Sequence, residues 1–305
     1  EARRVPLVAP APPVGPLEPA QGRAAVAGRA LAPVRVLRRR EPEARNEYGE
    51  RRIAGIGALN ASSAVLCPSR FLMAVHAAHG VNEGVLRHVA LGQPHFDELR
   101  GAAEASPYYR LRPWSPEAGR PLRLAYFGNC HPNKGLATLV RALAEMPEEL
   151  AGRVHCAIRA SGDDRPLRAM LAGRSHASFL GAYDVSELGA AMREFEVCVF
   201  PNMGLENSPL VVLEALHAGK FVIASRLGGG MDWIEEGRNG LLFRAGHVGE
   251  LIERARDVAD GRVALPSAAE VHACSRLRSH GAYVDEVSGI LEELAAGPQR
   301  SGAGA

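Results

Sequence analysis

The chain has 305 residues, 47% hydrophobic and 23% charged, with a formal net charge of +2. That length suits one large or two ordinary domains with a substantial core. The near-balanced charge gives no case for nucleic-acid binding, no run of about 18 apolar residues exists to span a membrane, and no continuous apolar segment at the start predicts a secretory signal.

Residues 1–45 carry many prolines and alanines and the run "RVLRRR" at 35–40. They predict a disordered or loosely packed arm, its arginines solvated or drawn to an anionic membrane surface. Beyond it the hydrophobic pattern predicts a helix near 44–62, a strand at 63–69, a helix at 70–80 and a strand at 87–92. "GIG" at 55–57 lacks a preceding strand and a third glycine, so it is no phosphate loop. Residues 101–121 read as a Pro- and Gly-punctuated linker.

From 122 onward strands and helices alternate. Strands are predicted at 123–128, 153–160, 177–181, 196–202, 221–225 and 240–243. Helices are predicted at 135–146, 165–173, 185–195, 208–219, 231–237 and 247–260, with a last long one at about 267–295. Apolar strands alternating with helices predict an α/β fold with a doubly wound parallel sheet, which binds ligands beyond the carboxyl ends of its strands. The loops "GNCHPNKG" (128–135), "PNMGLENS" (201–208) and "SRLGGG" (225–230) are predicted to share that edge.

Five scattered cysteines without C-x-x-C spacing disfavour zinc and dithiol chemistry and suit a reducing cytoplasm. Among 36 basic residues only Lys134 and Lys220 are lysines. Lys134 closes a glycine-punctuated strand-to-helix loop, where helix amides and an ammonium favour an anion; a plain surface lysine is the other reading. The loop matches neither the Walker A spacing nor G-x-G-x-x-G. Lys220 falls on the opposite edge of the sheet and reads as structural. Of the histidines, only His131 lies in a loop suited to a ligand, and no metal-binding spacing occurs. Ser208 is predicted as N-cap and Pro209 as first residue of the helix that follows, which holds Glu206 in the loop. Glu214 falls two turns on, among apolar residues. A buried carboxylate needs donors, and two kinds fit: the vicinal hydroxyls of a sugar or ribose, or an arginine across the core. The three glycines at 228–230 make either a close backbone approach to ligand or a flexible turn.

The segments "YFGNCHPNKGLATLVRAL", "FLGAYDVSELGAAM", "VCVFPNMGLENSPLVVLEALHAGKFVIAS" and "GGGMDWIEEGRNGLLF" together resemble the retaining glycosyltransferases of family 4 over about residues 60–265. The E-x7-E signature is met by Glu206 and Glu214, and the K-G pair by Lys134 and Gly135. The resemblance implies a GT-B fold: a complete nucleotide-sugar donor domain at 120–265, a remnant of the acceptor domain and linker at 46–119, and a C-terminal helix and tail at 266–305. It implies that Gly128, Asn129, Lys134 and Gly135 line the donor diphosphate, and that Glu214 holds ribose hydroxyls. Glu206 would hold the transferred sugar, amides near Asn207, Ser208 and Leu210 would approach sugar and phosphate, and the loop at 181–185 would lie near the base. The implied reaction is hexosyl transfer with retention, from a nucleotide-sugar to a glycan or lipid-linked acceptor, without cofactor or metal, with Lys134 and Glu206 as catalytic groups. A silent nucleotide-sugar-binding module, a truncated subunit completed by a partner, and a GT-B epimerase are the competing readings. Asn129 stands where the family often has arginine, and the opening strands of the acceptor domain have no match in residues 1–45.

Overall fold

The computed structural model describes residues 47–297. The arm expected at 1–45, with its membrane-facing arginines, lies outside them, as does the end of the tail. The described chain opens with α1 (Glu47–Asn60), β1 (Val65–Cys67), α2 (Arg70–Ala78) and β2 (Leu86–His88). Strands β1 and β2 pair in parallel, Val65 opposite Leu86 and Cys67 opposite His88. Next comes α3 (Pro94–Glu104), a helix that was not anticipated and whose last turn runs into the predicted linker at 101–121. Pro94 presets its first turn, and Phe96 and Leu99, three apart on one face, are buried.

The remaining elements are β3 (Leu122–Asn129), α4 (Leu136–Glu145), α5 (Glu148–Ala151), β4 (Val154–Ser161), α6 (Arg165–Met170), β5 (Ala177–Phe179), α7 (Leu188–Ala191), β6 (Val197–Phe200), α8 (Leu210–His217), β7 (Phe221–Ser225), β8 (Gly240–Phe243), α9 (Val248–Ala259), α10 (Ala268–Cys274) and α11 (His280–Ala296). Strands β3 to β8 form one sheet, wholly parallel, in the order β5-β4-β3-β6-β7-β8. The α/β doubly wound architecture is thus as expected. Alternation along β3 shows how the sequence builds its two faces. Leu122, Leu124 and Tyr126 pack with α4 and α9, whereas Ala125 and Phe127 pack with α3, α7 and α8. No helix among the described residues is long and apolar enough to cross a membrane.

Three helices differ from expectation. The one expected at 231–237 is a 3-10 turn at Gly228–Trp233, fixed because Gly228 has φ +70° and the turn lies against the backbone of Glu206 and Asn207. The one expected at 185–195 shrinks to α7 after a 3-10 turn. The long terminal helix breaks at 275–279. There Ser275 turns extended and receives Asn239 Nδ2 at 2.9 Å, and Ser279 caps α11 by accepting from Ala282 N.

Two polar groups in the interior matter for stability. Glu196, 2% exposed, accepts from Arg123 N at 2.9 Å and pairs with the Arg120 and Arg123 guanidiniums at 3.0 and 2.5 Å. His217 is fully buried, stacks on Phe96 at 4.8 Å, and has no hydrogen-bond partner on either ring nitrogen. Burial first, then the His272 and Arg100 charges, pushes its pKa down to about 4. The unfolded chain therefore binds the extra proton between its ordinary value near 6.5 and about 4. Stability contributed by neutral His217 is present above 6.5 and lost as pH falls through that window, by about 3 kcal/mol. His217→Leu should flatten this loss in urea melts taken between pH 7 and 4.5; an unchanged slope would refute the assignment.

Candidate functional site

The strand order reverses between β3 and β6, which is where an open parallel sheet leaves a crevice beyond its carboxyl edge. The loops 128–135 and 201–208 leave those two strands, so both line the crevice. Gly135 is what lets them meet. It has φ +69°, and a Cβ there would lie 1.8 Å from the Pro201 carbonyl oxygen. The main chain of Met203 and Gly204 donates to Asn133 O at 2.8 and 3.1 Å, which ties the loops together. At the base, Gly128 leaves room for the Tyr126 hydroxyl, which donates to Asn129 O at 2.9 Å. The Asn129 side chain accepts from His131 N at 3.0 Å, and His131 Nδ1 accepts from Asn133 N at 3.2 Å. Both side chains thus shape the loop itself.

Across the crevice, Lys134 Nζ meets Glu206 Oε1 at 2.5 Å, with both side chains partly exposed. The two residues expected to carry the chemistry, 72 positions apart, form one ion pair. The loop under Glu206 rests on the glycine turn: Gly229 N donates to Glu206 O at 2.7 Å, and a Cβ on Gly229 would lie 1.7 Å from Asn207 O. These glycines pack against the backbone of the Glu206 loop, which neither reading foresaw.

Ser208 is corrected from its expected role. Pro209 stands at the cap position of α8, without a side-chain cap bond, and the helix begins at Leu210. Pro209 keeps an extended backbone, with φ −69° and ψ 118°, so the start falls one residue later than expected. The Ser208 hydroxyl is left buried with no partner, beside first-turn amides that have no acceptor within the helix. An unpartnered buried hydroxyl costs about 1–3 kcal/mol. Asn207 and Leu210 are exposed on either side.

Glu214, 8% exposed, sits one turn deeper. Its Oε1 lies 3.1 Å from His95 Nε2 on α3. Among the described residues its partner is thus an imidazole and not the arginine that was one reading. Burial pushes the Glu214 carboxyl up, and the imidazole's hydrogen bond and charge offset part of that. The arginine-paired acid that was one reading for Glu214 exists at Glu196 instead. Tyr183, from the loop expected near the base, packs edge-on to Phe127 at 5.2 Å. Its hydroxyl is pushed up to about 12 by burial, then by the Glu214 and Cys198 charges. His95, beside Glu214, is the residue that sequence reasoning missed, whereas Tyr183 falls in the loop expected near the base. The signal for His95 was the "QPHFDEL" start: Pro94 at the first position, Asp97 in the first turn, and Phe96 and Leu99 at helical spacing. Lys220 is partly buried over the Phe195 ring at 5.6 Å, on the opposite edge of the sheet, and burial lowers its pKa to about 8. It takes no part in this crevice.

Residues 121–260 match the family model described as glycosyl transferases group 1. Phosphatidyl-myo-inositol mannosyltransferase of Mycobacterium leprae is 36% identical over 135 residues, 44% of this chain and 34% of that protein. D-inositol 3-phosphate glycosyltransferase of Stackebrandtia nassauensis is 30% identical over 202 residues, 59% of this chain and 44% of that protein. The chain thus spans about a third of the length of the mycobacterial mannosyltransferases it matches. Among solved structures, Anabaena Alr3699/HepE in complex with UDP has a TM-score of 0.64 at 19% identity, covering 83% of this chain and 70% of that one. Sucrose-phosphate synthase from Thermosynechococcus elongatus has a TM-score of 0.64 at 21% identity, covering 84% and 64%. At such identities these likenesses speak for the fold alone, which is GT-B-like.

Proposed function

We propose that this chain is a glycosyltransferase that takes a sugar from a nucleoside diphosphate donor and transfers it, with retained configuration, to a glycan or lipid-linked acceptor. The observation that carries this reading is the Lys134–Glu206 pair at the strand-order switch, beside the unpartnered Ser208 hydroxyl and the amino end of α8. The ammonium and the carboxylate neutralise one another as an ion pair. A donor diphosphate draws Lys134 to itself, with the α8 amides and Ser208 as further donors. Glu206 is then released to accept hydroxyls of the sugar, while Gly128, Asn129 and Gly135 keep the loop close to the diphosphate.

Bond breaking between the anomeric carbon and the diphosphate builds charge on the leaving oxygen, where Lys134 and the helix dipole stabilise it. The acceptor oxygen bonds to that carbon on the same face, and its proton passes to the departing phosphate. This route needs no protein nucleophile. Glu214 accepts ribose hydroxyls, sharing its carboxylate with His95, and Tyr183 lies toward the base.

A nucleotide-sugar-binding module without transfer is the second reading, favoured by His95 already holding Glu214. Calorimetric titration with nucleoside diphosphates tests both readings. Glu214→Ala should weaken binding by about 1–3 kcal/mol. Equal affinity in the wild type and the variant would remove Glu214 from the site, and no heat with any nucleotide would end both readings. A donor-hydrolysis assay then separates enzyme from module.

A further inference from the structure

A cavity of about 550 Å³ opens where β2, α2, α3, the glycine turn and the start of α11 converge. Arg70, Arg100, Arg276 and Arg278 line it with His88, against one acid, Asp232. Asp232 Oδ2 is committed to Phe71 N at 3.1 Å, at the amino end of α2. Arg100 pairs with Glu104, and Arg278 with Glu286. Arg70 and Arg276 have no acidic partner among the described residues. Four guanidiniums thus face one cavity with a single carboxylate among them, Arg70 and Arg276 exposed to solvent, and their common charge favours an anion there.

The cavity shares a wall with the donor crevice. Asp232 and Trp233 close the 3-10 turn whose Gly228 and Gly229 brace the Glu206 loop. Ser69, directly before Arg70, has its hydroxyl 2.8 Å from where a Gly229 Cβ would stand. We infer that this cavity binds a phosphate group carried by the sugar acceptor, held by Arg70 and Arg276 in forked guanidinium contacts. Its assignment to the acceptor rests on the transferase reading above; its selectivity for phosphate does not. Planar guanidiniums match phosphate oxygens in pairs, which suits a phosphate ester better than a lone carboxylate.

His88 supplies an internal reporter. Its pKa is lowered first by burial and then by Arg70, with Asp232 raising it and Arg278 lowering it again. A phosphate seated among the arginines should raise its titration midpoint.

The test measures binding of inorganic phosphate, of glycerol 3-phosphate and of phosphatidylcholine vesicles with and without phosphatidylinositol. It compares wild type, Arg70→Ala, Arg276→Ala, the surface control Arg52→Ala and the donor-site variant Lys134→Ala, each first checked by thermal melting. Arg70→Ala and Arg276→Ala should each weaken binding about ten-fold or more in at least one arm, and should remove the upward shift of His88 followed by NMR. Loss in the soluble arms marks a free phosphate ester, and loss only with phosphatidylinositol marks a lipid headgroup. Arg52→Ala and nucleoside diphosphate binding should stay unchanged. Equal affinity in both arginine variants, or loss in Lys134→Ala instead, would overturn the site. Arginine-dependent phosphate binding in a chain that binds no nucleotide would keep the phosphate site and sink only its link to transfer.

Discussion

Lys134→Ala should lower sugar-transfer turnover by about 10²–10³-fold, the range seen when one donor to a developing oxyanion is removed. Lys134 reaches the crevice from a 3-10 turn at Pro132–Lys134 and ends on Glu206 at 2.5 Å. Its loss removes the charge proposed to meet the leaving diphosphate and leaves the Glu206 carboxylate without its ammonium. Lys134→Arg should rescue poorly, because a planar fork does not fill the place of a compact, strongly hydrated ammonium. Glu206→Gln should keep nucleotide affinity while turnover falls, since the sugar and not the nucleotide is its proposed contact. The measurement is initial rate at saturating donor, together with nucleotide affinity. Turnover within three-fold of wild type in Lys134→Ala would remove that residue from the chemistry.

Gly135→Ala should destabilise the chain by about 3–5 kcal/mol, through two effects that a control separates. A left-handed residue with a Cβ costs about 1–2 kcal/mol by itself. At Gly135 the added carbon would also lie 1.8 Å from the Pro201 carbonyl, so the β3 and β6 loops must part. Gly173 has φ +77° with nothing within 4 Å of its Cβ position, so Gly173→Ala should show only the first cost. Urea denaturation of the two variants tests the contact directly. Equal losses at both positions would mean that the loops are not clamped there.

Much of the site was legible because it depends on local spacing. Loops that follow apolar strands land on the carboxyl edge of a parallel sheet, so Lys134 and Glu206 could be placed there before any coordinates existed. Element boundaries and caps were less legible. Ser208 has the right chemistry for a cap, yet Pro209 moved the helix start. Helix α3 was hidden because "QPHFDELR" is too short and too polar for its period to stand out from a linker. Glu196 and Glu214 show the same limit. Both are carboxylates in apolar runs, but one is met by two guanidiniums and the other by an imidazole, and no pattern near either residue distinguishes them.

The sequence alone determined the α/β alternation and the placing of the Lys134 and Glu206 loops on one edge of the sheet. These follow from side-chain periodicity and backbone limits, which act over a few residues. The tertiary structure decided the partner of the buried carboxylate, the clash that makes Gly135 obligatory, and the gathering of Arg70, Arg100, Arg276 and Arg278 around one cavity. Those depend on which distant segments touch, and contact across some 200 residues is set by packing of the whole core, which no local pattern encodes.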